Sequence, residues 1–206
     1  MNSNIDIDYT KYRILLRGAS RVGKTSIINQ YIDNTFTGQY TRTQKTDFKS
    51  KYMQYKDYNI ILQLWDCKEE VFSYVYREFL SQVQAVALIF DITNRDTFDE
   101  LEEKIKDIKT HTKENIIIYV IGNKSDLNGI RIITRKEAEK FCLSMGCPYF
   151  ECSAMNGKNI NEIMHRILRD IISINLYMHY DIEDTEEENK EKLQIEFMKE
   201  KSCIIY

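Results

Sequence analysis

The chain has 206 residues, of which 43% are hydrophobic and 30% charged, which predicts one globular domain with a core of ordinary size. Its net charge of −3 gives no argument for nucleic acid as the main partner, and no apolar run reaches the roughly 18 residues that predict a membrane span. The start of the chain is too polar and acidic for a secretory signal, and the five cysteines lack zinc-ligand spacing, so we expect a cytoplasmic protein with reduced thiols.

The predicted elements alternate between strand and helix along the chain. In the first half they are a strand at Tyr12–Leu16, a helix at Lys24–Ile32, a hairpin of Thr46–Tyr55 and Asn59–Trp65, a helix at Val71–Gln82 and a buried strand at Ala85–Phe90. In the second half they are a helix at Thr97–Thr110, a strand at Asn115–Ile121, a helix at Thr134–Met145, a strand at Pro148–Cys152 and a long helix from Ile160. This alternation predicts an α/β fold with a six-stranded, mostly parallel sheet, one antiparallel edge strand and about five helices on both faces.

A glycine-bounded loop joins the first predicted strand to the first helix. Its sequence, Gly18-Ala19-Ser20-Arg21-Val22-Gly23-Lys24-Thr25, matches the phosphate-loop pattern G-x-x-x-x-G-K-[ST] in the context that the pattern requires. Backbone N–H groups and the helix N-terminus would cradle phosphate oxygens, Lys24 would reach the β- and γ-phosphates, and the Thr25 hydroxyl would bind Mg²⁺. The alternative is a chance glycine turn. The predicted phosphate-binding residues are Gly18, Ser20, Arg21, Val22, Gly23, Lys24, Thr25 and Ser26. For Arg21 three outcomes stay open: crowding the phosphates, adding positive charge to them, or pointing into solvent.

Two further loops follow buried strands of the second half. Asn123-Lys124-Ser125-Asp126 follows one strand and Ser153-Ala154 follows another. Because ligands of open α/β sheets bind beyond the carboxyl ends of the strands, we expect both loops to face the same crevice as the phosphate loop. An aspartate there accepts hydrogen bonds from both guanine N–H groups, which adenine does not offer. The alternative for Asn123–Asp126 is an ordinary polar turn.

These motifs resemble the Ras superfamily of small GTPases, and the Rab branch most closely, over about Tyr9–Asn175. Further Rab-like strings are Thr46-Asp47-Phe48, Leu64-Trp65-Asp66, Asp91-Ile92-Thr93-Asn94 and Gly157-Lys158-Asn159-Ile160. The resemblance implies a P-loop NTPase fold that binds GTP or GDP with Mg²⁺. It implies base contacts from Phe36, Asn123, Lys124, Asp126, Ser153 and Ala154, and magnesium ligands at Thr25, Thr43 and Asp66.

The resemblance also implies partners and a place of action. Phe48, Trp65 and Phe79 match the aromatic triad through which Rab proteins contact effectors, although plain core packing is an equal alternative for them. An exchange factor and an activating protein are the other expected partners. The implied function is regulation of vesicle trafficking, in the cytoplasm and peripherally on the cytosolic face of endomembranes.

The chain departs from the family where the γ-phosphate is sensed. The family has W-D-T-A-G-Q-E, and this chain has Trp65-Asp66-Cys67-Lys68-Glu69-Glu70-Val71, without the glycine or the glutamine. Glu70 stands nearest to the glutamine position, so the catalytic residue is unknown and we expect weak or absent GTP hydrolysis. Thr41 and Thr46 leave the assignment of Thr43 open. The alternatives are a conventional switch assisted by an activating protein and a nucleotide-independent scaffold. A P-loop kinase or ATPase is disfavoured by the two guanine motifs.

The predicted organisation is an N-terminal extension at 1–8, a GTPase domain at 9–178 and a flexible acidic tail at 179–206. Residues 181–206 contain nine acidic and four basic residues, a net charge of −5. The last four residues, Cys203-Ile204-Ile205-Tyr206, match the C-a-a-X lipidation pattern with an unusual final residue. We expect reversible membrane association through a lipid on Cys203; an ordinary cysteine near the end is the alternative.

Overall fold

The computed structural model of the chain describes residues 8–39, 46–56, 58–66, 80–112 and 116–180, with side chains up to residue 175. Several predicted features lie outside these ranges: Thr43, Glu70, Phe79, Cys203 and most of the helix at Val71–Gln82. Predictions that depend on them therefore stay predictions. Across the described residues, no helix has the length and apolar character needed to cross a membrane.

Six strands form a single sheet. They are β1 (Thr10–Arg17), β2 (Asp47–Tyr55), β3 (Tyr58–Asp66), β4 (Ala85–Asp91), β5 (Ile117–Asn123) and β6 (Tyr149–Glu151). Their order across the sheet is β2-β3-β1-β4-β5-β6. The edge strand β2 runs antiparallel to β3, and all other neighbours are parallel. The predicted sheet, with one antiparallel edge strand, is confirmed.

The described residues form five α-helices that cover both faces of this sheet. They are α1 (Lys24–Asp33), α2 (Arg95–Asp99), α3 (Leu101–His111), α4 (Arg135–Met145) and α5 (Ile160–Tyr180), with a 3₁₀ turn at Ser125–Ile130. Apolar residues of α1 and α5 pack on one face of the sheet, and those of α3 and α4 pack on the other. Every residue of β4 is buried, as expected for a parallel strand covered by helices on both sides.

The predicted helix at Thr97–Thr110 is wrong in its boundaries, because the structure has two helices there. The first begins at Arg95, since the side chain of Asn94 accepts a hydrogen bond from the Asp96 N–H and caps the helix two residues earlier than predicted. The Glu100 N–H bonds to the carbonyls of both Asp96 and Phe98, which tightens the turn between α2 and α3. Apolar spacing alone does not report such a local break.

Helix α4 is capped at both ends. The Thr134 side chain accepts a hydrogen bond from the Glu137 N–H at 3.2 Å, and Gly146 takes the left-handed conformation that ends the helix. The helix therefore ends at Met145, shortly before β6 begins at Tyr149.

Candidate functional site

The phosphate-loop pattern occupies the turn between β1 and α1. Gly18 has a φ of +143°, and a Cβ atom there would lie 2.0 Å from the carbonyl oxygen of Ile89 in β4. Gly23 has a φ of +98°, and its Cβ would lie 2.3 Å from Nδ2 of Asn123. Both glycines are thus required by close neighbours as well as by backbone conformation. The loop fits tightly between the ends of β1, β4 and β5.

Lys24 begins α1 and reaches back across the loop. Its Nζ donates to the carbonyl oxygens of Gly18 at 2.8 Å and Ala19 at 2.9 Å. This places a positive charge at the helix N-terminus, where partial positive charge from the backbone already accumulates. Arg21 has a left-handed φ of 67° and is exposed. The site therefore carries concentrated positive potential and suits an anionic ligand.

The remaining predicted phosphate-binding residues differ in burial. Val22 is buried and Ser26 is half-buried, whereas Ser20 and Thr25 are exposed on the loop and the first turn of α1. The mixture is typical of a loop that packs with its apolar side chain inward and presents its backbone and hydroxyl groups outward.

Two of the predicted magnesium ligands lie together. The Thr25 hydroxyl donates to the carboxylate of Asp66, the last residue of β3, which is 5% exposed. Both residues line a cavity of about 110 Å³ between α1 and the β2–β3 hairpin. A hydroxyl and a carboxylate are the hard oxygen ligands that Mg²⁺ prefers, so this pair fits that ion.

Asn123 connects all three predicted loops. It ends β5 and is 1% exposed. Its Nδ2 donates to the carbonyl of Val22 in the phosphate loop at 2.8 Å, and its Oδ1 accepts from the Ala154 N–H at 3.1 Å. The Cys152 thiol also donates to this oxygen at 3.6 Å, and burial raises the pKa of Cys152 to about 12, so the thiol stays protonated. Asn123 therefore holds the loops in register.

The other polar residues of these loops also form contacts with one another. The Ser153 hydroxyl, which is fully buried, donates to Oδ1 of Asp126. This bond orients the carboxylate and leaves its second oxygen for another donor. The Lys124 amino group forms an ion pair with Asp91 at the end of β4. The structure thus brings together Asn123, Lys124, Asp126, Ser153 and Ala154, as the position of their strands predicted.

A salt bridge holds β6 in place just before Ser153. Arg131 makes two hydrogen bonds of 2.8 Å to the carboxylate of Glu151, and the Tyr149 hydroxyl donates to the same group at 2.8 Å. Burial opposes ionisation of Glu151, but the hydrogen bonds from Arg131 and Tyr149 outweigh it and lower the pKa of Glu151 below its ordinary value. The loop that carries Ser153 and Ala154 therefore follows a strand whose last residue is held by three hydrogen bonds.

The predicted aromatic contacts are partly exposed. Phe36 follows α1 and is 43% exposed. Phe48 on β2 is 41% exposed and stacks on Trp65 of β3, with ring centroids 4.5 Å apart. Trp65 is half-buried and packs against the core on the α3 side of the sheet. Core packing therefore describes Trp65 well, whereas Phe48 presents a large apolar surface outward.

One residue of this site is not predicted from the sequence. In the sequence Asp91 is only part of a Rab-like string, whereas in the structure it is the ion-pair partner of Lys124. A carboxylate directly after the apolar run Ala85–Phe90 was the available indication, because it lies at the same sheet edge as the three loops.

Comparisons with known proteins agree with this geometry. Residues 13–173 match the Ras family. The chain is 34% identical over 171 residues to Ras-related protein Rab7 of Pisum sativum, across 79% of this chain and 83% of that protein. It is 32% identical over 164 residues to Ras-related protein Rab-12 of Homo sapiens, across 79% and 67%. It is 30% identical over 162 residues to Ras-related protein Rab-4 of Dictyostelium discoideum, across 78% and 79%. The chain therefore belongs to the Ras superfamily of small GTPases and is Rab-like.

Proposed function

We propose that the chain binds GTP and GDP with Mg²⁺ in this crevice and acts as a Rab-type regulator of vesicle trafficking with weak or absent intrinsic hydrolysis. The observation that carries the proposal is the convergence of the phosphate loop, Asn123–Asp126 and Ser153–Ala154 around the buried amide of Asn123. Recognition of a guanine nucleotide requires a loop that binds the phosphates and a carboxylate that accepts hydrogen bonds from the base, each held in position relative to the other.

The phosphate end of the ligand would meet backbone N–H groups of the loop and the ammonium group of Lys24. Thr25 and Asp66 would hold Mg²⁺, which neutralises phosphate charge when bound. Thr43 is proposed as a further ligand by its position in the sequence.

The base would lie between the second and third loops. Asp126, oriented by Ser153, offers a free carboxylate oxygen toward the two N–H groups of guanine. Asp126→Asn replaces that acceptor by an amide that donates, so preference should move toward xanthine nucleotides, which offer an acceptor there. Competition binding with a fluorescent GDP analogue against GDP, XDP and ADP measures this shift. Equal affinity of the wild-type protein for ADP and GDP would refute the guanine assignment.

The weak hydrolysis follows from the residues after Asp66. No glycine occurs between Gly38 and Gly122, so the family's glycine whose N–H meets the γ-phosphate has no counterpart after Asp66. Two glutamates stand near the position where the family's glutamine orients water. A carboxylate 4 Å from a phosphate charge is repelled by about 4 kcal/mol at an effective dielectric of about 20. Intrinsic hydrolysis should therefore fall below the roughly 10⁻⁴ per second of unaided Ras.

A single-turnover assay with radiolabelled GTP tests this point. The matched variant replaces Cys67–Glu70 by Thr-Ala-Gly-Gln-Glu, which adds the missing residue and should raise the rate if the rest of the site is competent. Similar affinities of the wild-type protein for GDP and GTP would also support a weakened γ-phosphate contact. The loss of that contact reduces the difference in binding free energy between the GDP-bound and the GTP-bound state. Ordinary hydrolysis by the wild-type protein would favour the conventional switch, and absence of any nucleotide binding would favour a scaffold.

The trafficking role would depend on contacts with effectors and with a membrane. The exposed ring of Phe48, stacked on Trp65, offers an effector surface. Phe79 is proposed as a further part of it from its position in the sequence alone. Exchange and activating proteins would act on the same switch. A lipid on Cys203 would give reversible attachment, since a single chain is a marginal anchor. Mass spectrometry of protein from its native cell, compared with Cys203→Ser, distinguishes a modified from an unmodified C-terminus.

A further inference from the structure

The amino group of Lys124 has a partner that belongs to none of the three loops. It forms an ion pair with the carboxylate of Asp91, the last residue of β4. The Asp91 side chain is 8% exposed and that of Lys124 is 32% exposed, so the carboxylate lies well inside the protein. A carboxylate at that depth needs a cation or hydrogen-bond donors. The contact therefore differs from an exposed surface pair, which contributes little.

The direction of the Asp91 carboxylate is set by its own turn. Oδ1 accepts hydrogen bonds from the Thr93 N–H at 2.9 Å and from the Thr93 hydroxyl at 2.7 Å. The Asp91 N–H donates to the hydroxyl of Thr97 at 3.0 Å. These bonds hold the backbone and one carboxylate oxygen, and they leave Oδ2 directed at Lys124. The Asp91 carboxylate is thus oriented by hydrogen bonds that do not involve Lys124.

Lys124 is also held at its backbone. Its φ of 67° is the left-handed conformation, which is uncommon for a lysine. The next residue, Ser125, donates its N–H to the carbonyl of Cys152 at 3.0 Å. The structure thus holds Lys124 at its backbone and at its amino group, which confines the methylene chain between these two points. A lysine side chain otherwise samples many rotamers, and ordering it in advance lowers the entropy that ligand binding would cost.

We propose that Asp91 is a positioning residue for base binding, acting through Lys124. It holds the methylene chain of Lys124 extended beside the site of the purine ring and balances the ammonium charge, so that hydrocarbon faces the uncharged base. This inference rests on the proposed function, because it assumes a guanine nucleotide at Asp126. The ligand class it concerns is a purine nucleoside diphosphate or triphosphate.

The test is a double-mutant cycle on GDP dissociation, followed with a fluorescent GDP analogue in full-length protein. Asp91→Asn keeps the acceptor for Thr93 but removes the charge that attracts Lys124, and it should speed dissociation about tenfold, which corresponds to about 1.4 kcal/mol. Lys124→Ala should do at least as much. In the Lys124→Ala background, Asp91→Asn should have no further effect. Glu137→Gln, which breaks the ion pair between Glu137 of α4 and Arg95 of α2, is the matched control and should leave the rate unchanged.

Additive effects in the cycle would overturn the proposal, because a merely structural role of Asp91 does not depend on Lys124. Should Asp91→Asn fail to fold, two changes at the other partner decide the question. Lys124→Arg keeps a cation for Asp91 and should retain most of the GDP affinity, whereas Lys124→Met keeps a hydrocarbon chain without the charge and should lose about tenfold. Equal affinity of these two variants would overturn the proposal. Absence of GDP binding by the wild-type protein would instead refute the proposed function.

Discussion

Replacement of Asn123 by alanine tests the central connection of the site. The side chain is 1% exposed and makes hydrogen bonds to the Val22 carbonyl and the Ala154 N–H. Asn123→Ala leaves both backbone groups buried without this partner, and each such group costs about 1–3 kcal/mol. We therefore expect a loss of about 2–6 kcal/mol in the free energy of unfolding, a large share of the about 5–15 kcal/mol of a typical domain.

Urea unfolding followed by circular dichroism, with and without GDP, measures this loss. Asn128→Ala is the matched control, since its amide accepts a hydrogen bond from Arg131 at the surface and its removal should change stability by less than about 0.5 kcal/mol. Asn123→Asp keeps an acceptor for Ala154 but sets a carboxylate against the Val22 carbonyl, so it should destabilise as well. A midpoint for Asn123→Ala equal to that of the wild-type protein would refute the reasoning.

Two further changes probe the frame of the site. Gly18→Ala places a methyl group 2.0 Å from the Ile89 carbonyl oxygen and should lower the free energy of unfolding by about 3 kcal/mol or more. Gly129→Ala, with no atom within 4 Å of the new Cβ, is the control and should be nearly neutral. Equal melting temperatures of the two variants would contradict this expectation. Because its contacts lower the pKa of Glu151, the stability from its bonds with Arg131 is fully present above the ordinary pKa of 4.5 and is lost as the pH falls through the lower folded pKa. The stability difference between the wild-type protein and Glu151→Gln, measured by urea unfolding, should therefore be largest near neutral pH and shrink below pH 4.5, and a difference independent of pH would contradict the assignment.

Much of the fold could be predicted from the sequence because the patterns that indicate its strands, helices and turns lie within short segments of the chain. The apolar run Ala85–Phe90 is short, continuous and bounded by polar residues, which indicates a buried parallel strand, and the structure confirms it. The phosphate loop is predictable because its glycines, lysine and threonine have a fixed spacing within eight consecutive residues. The shared location of the three loops followed from one topological rule, that parallel strands end at the same edge.

The contacts inside the site could not be predicted in the same way. Asn123 and Val22 are 101 residues apart in the sequence, and nothing in either segment specifies that partner over many others. The pairing of Lys124 with Asp91 likewise depends on β4 and β5 being neighbours in register. Hydrogen-bond partners are chosen by three-dimensional proximity, which periodicity does not encode.

The position of β1 in the centre of the sheet has a consequence for the order of folding. Its partners are distant in the chain: Thr10 pairs with Ile60 and Ile14 pairs with Ala85. Closing a loop of about 50 residues costs about 3.5 kcal/mol of chain entropy, whereas the β2–β3 hairpin closes across a tight turn. We expect the hairpin to form early and β1 to join late, so that pulse-labelled amides of β1 gain protection last. Since the phosphate loop continues directly from β1, the protein would acquire its ligand-binding capacity only in the final step of refolding.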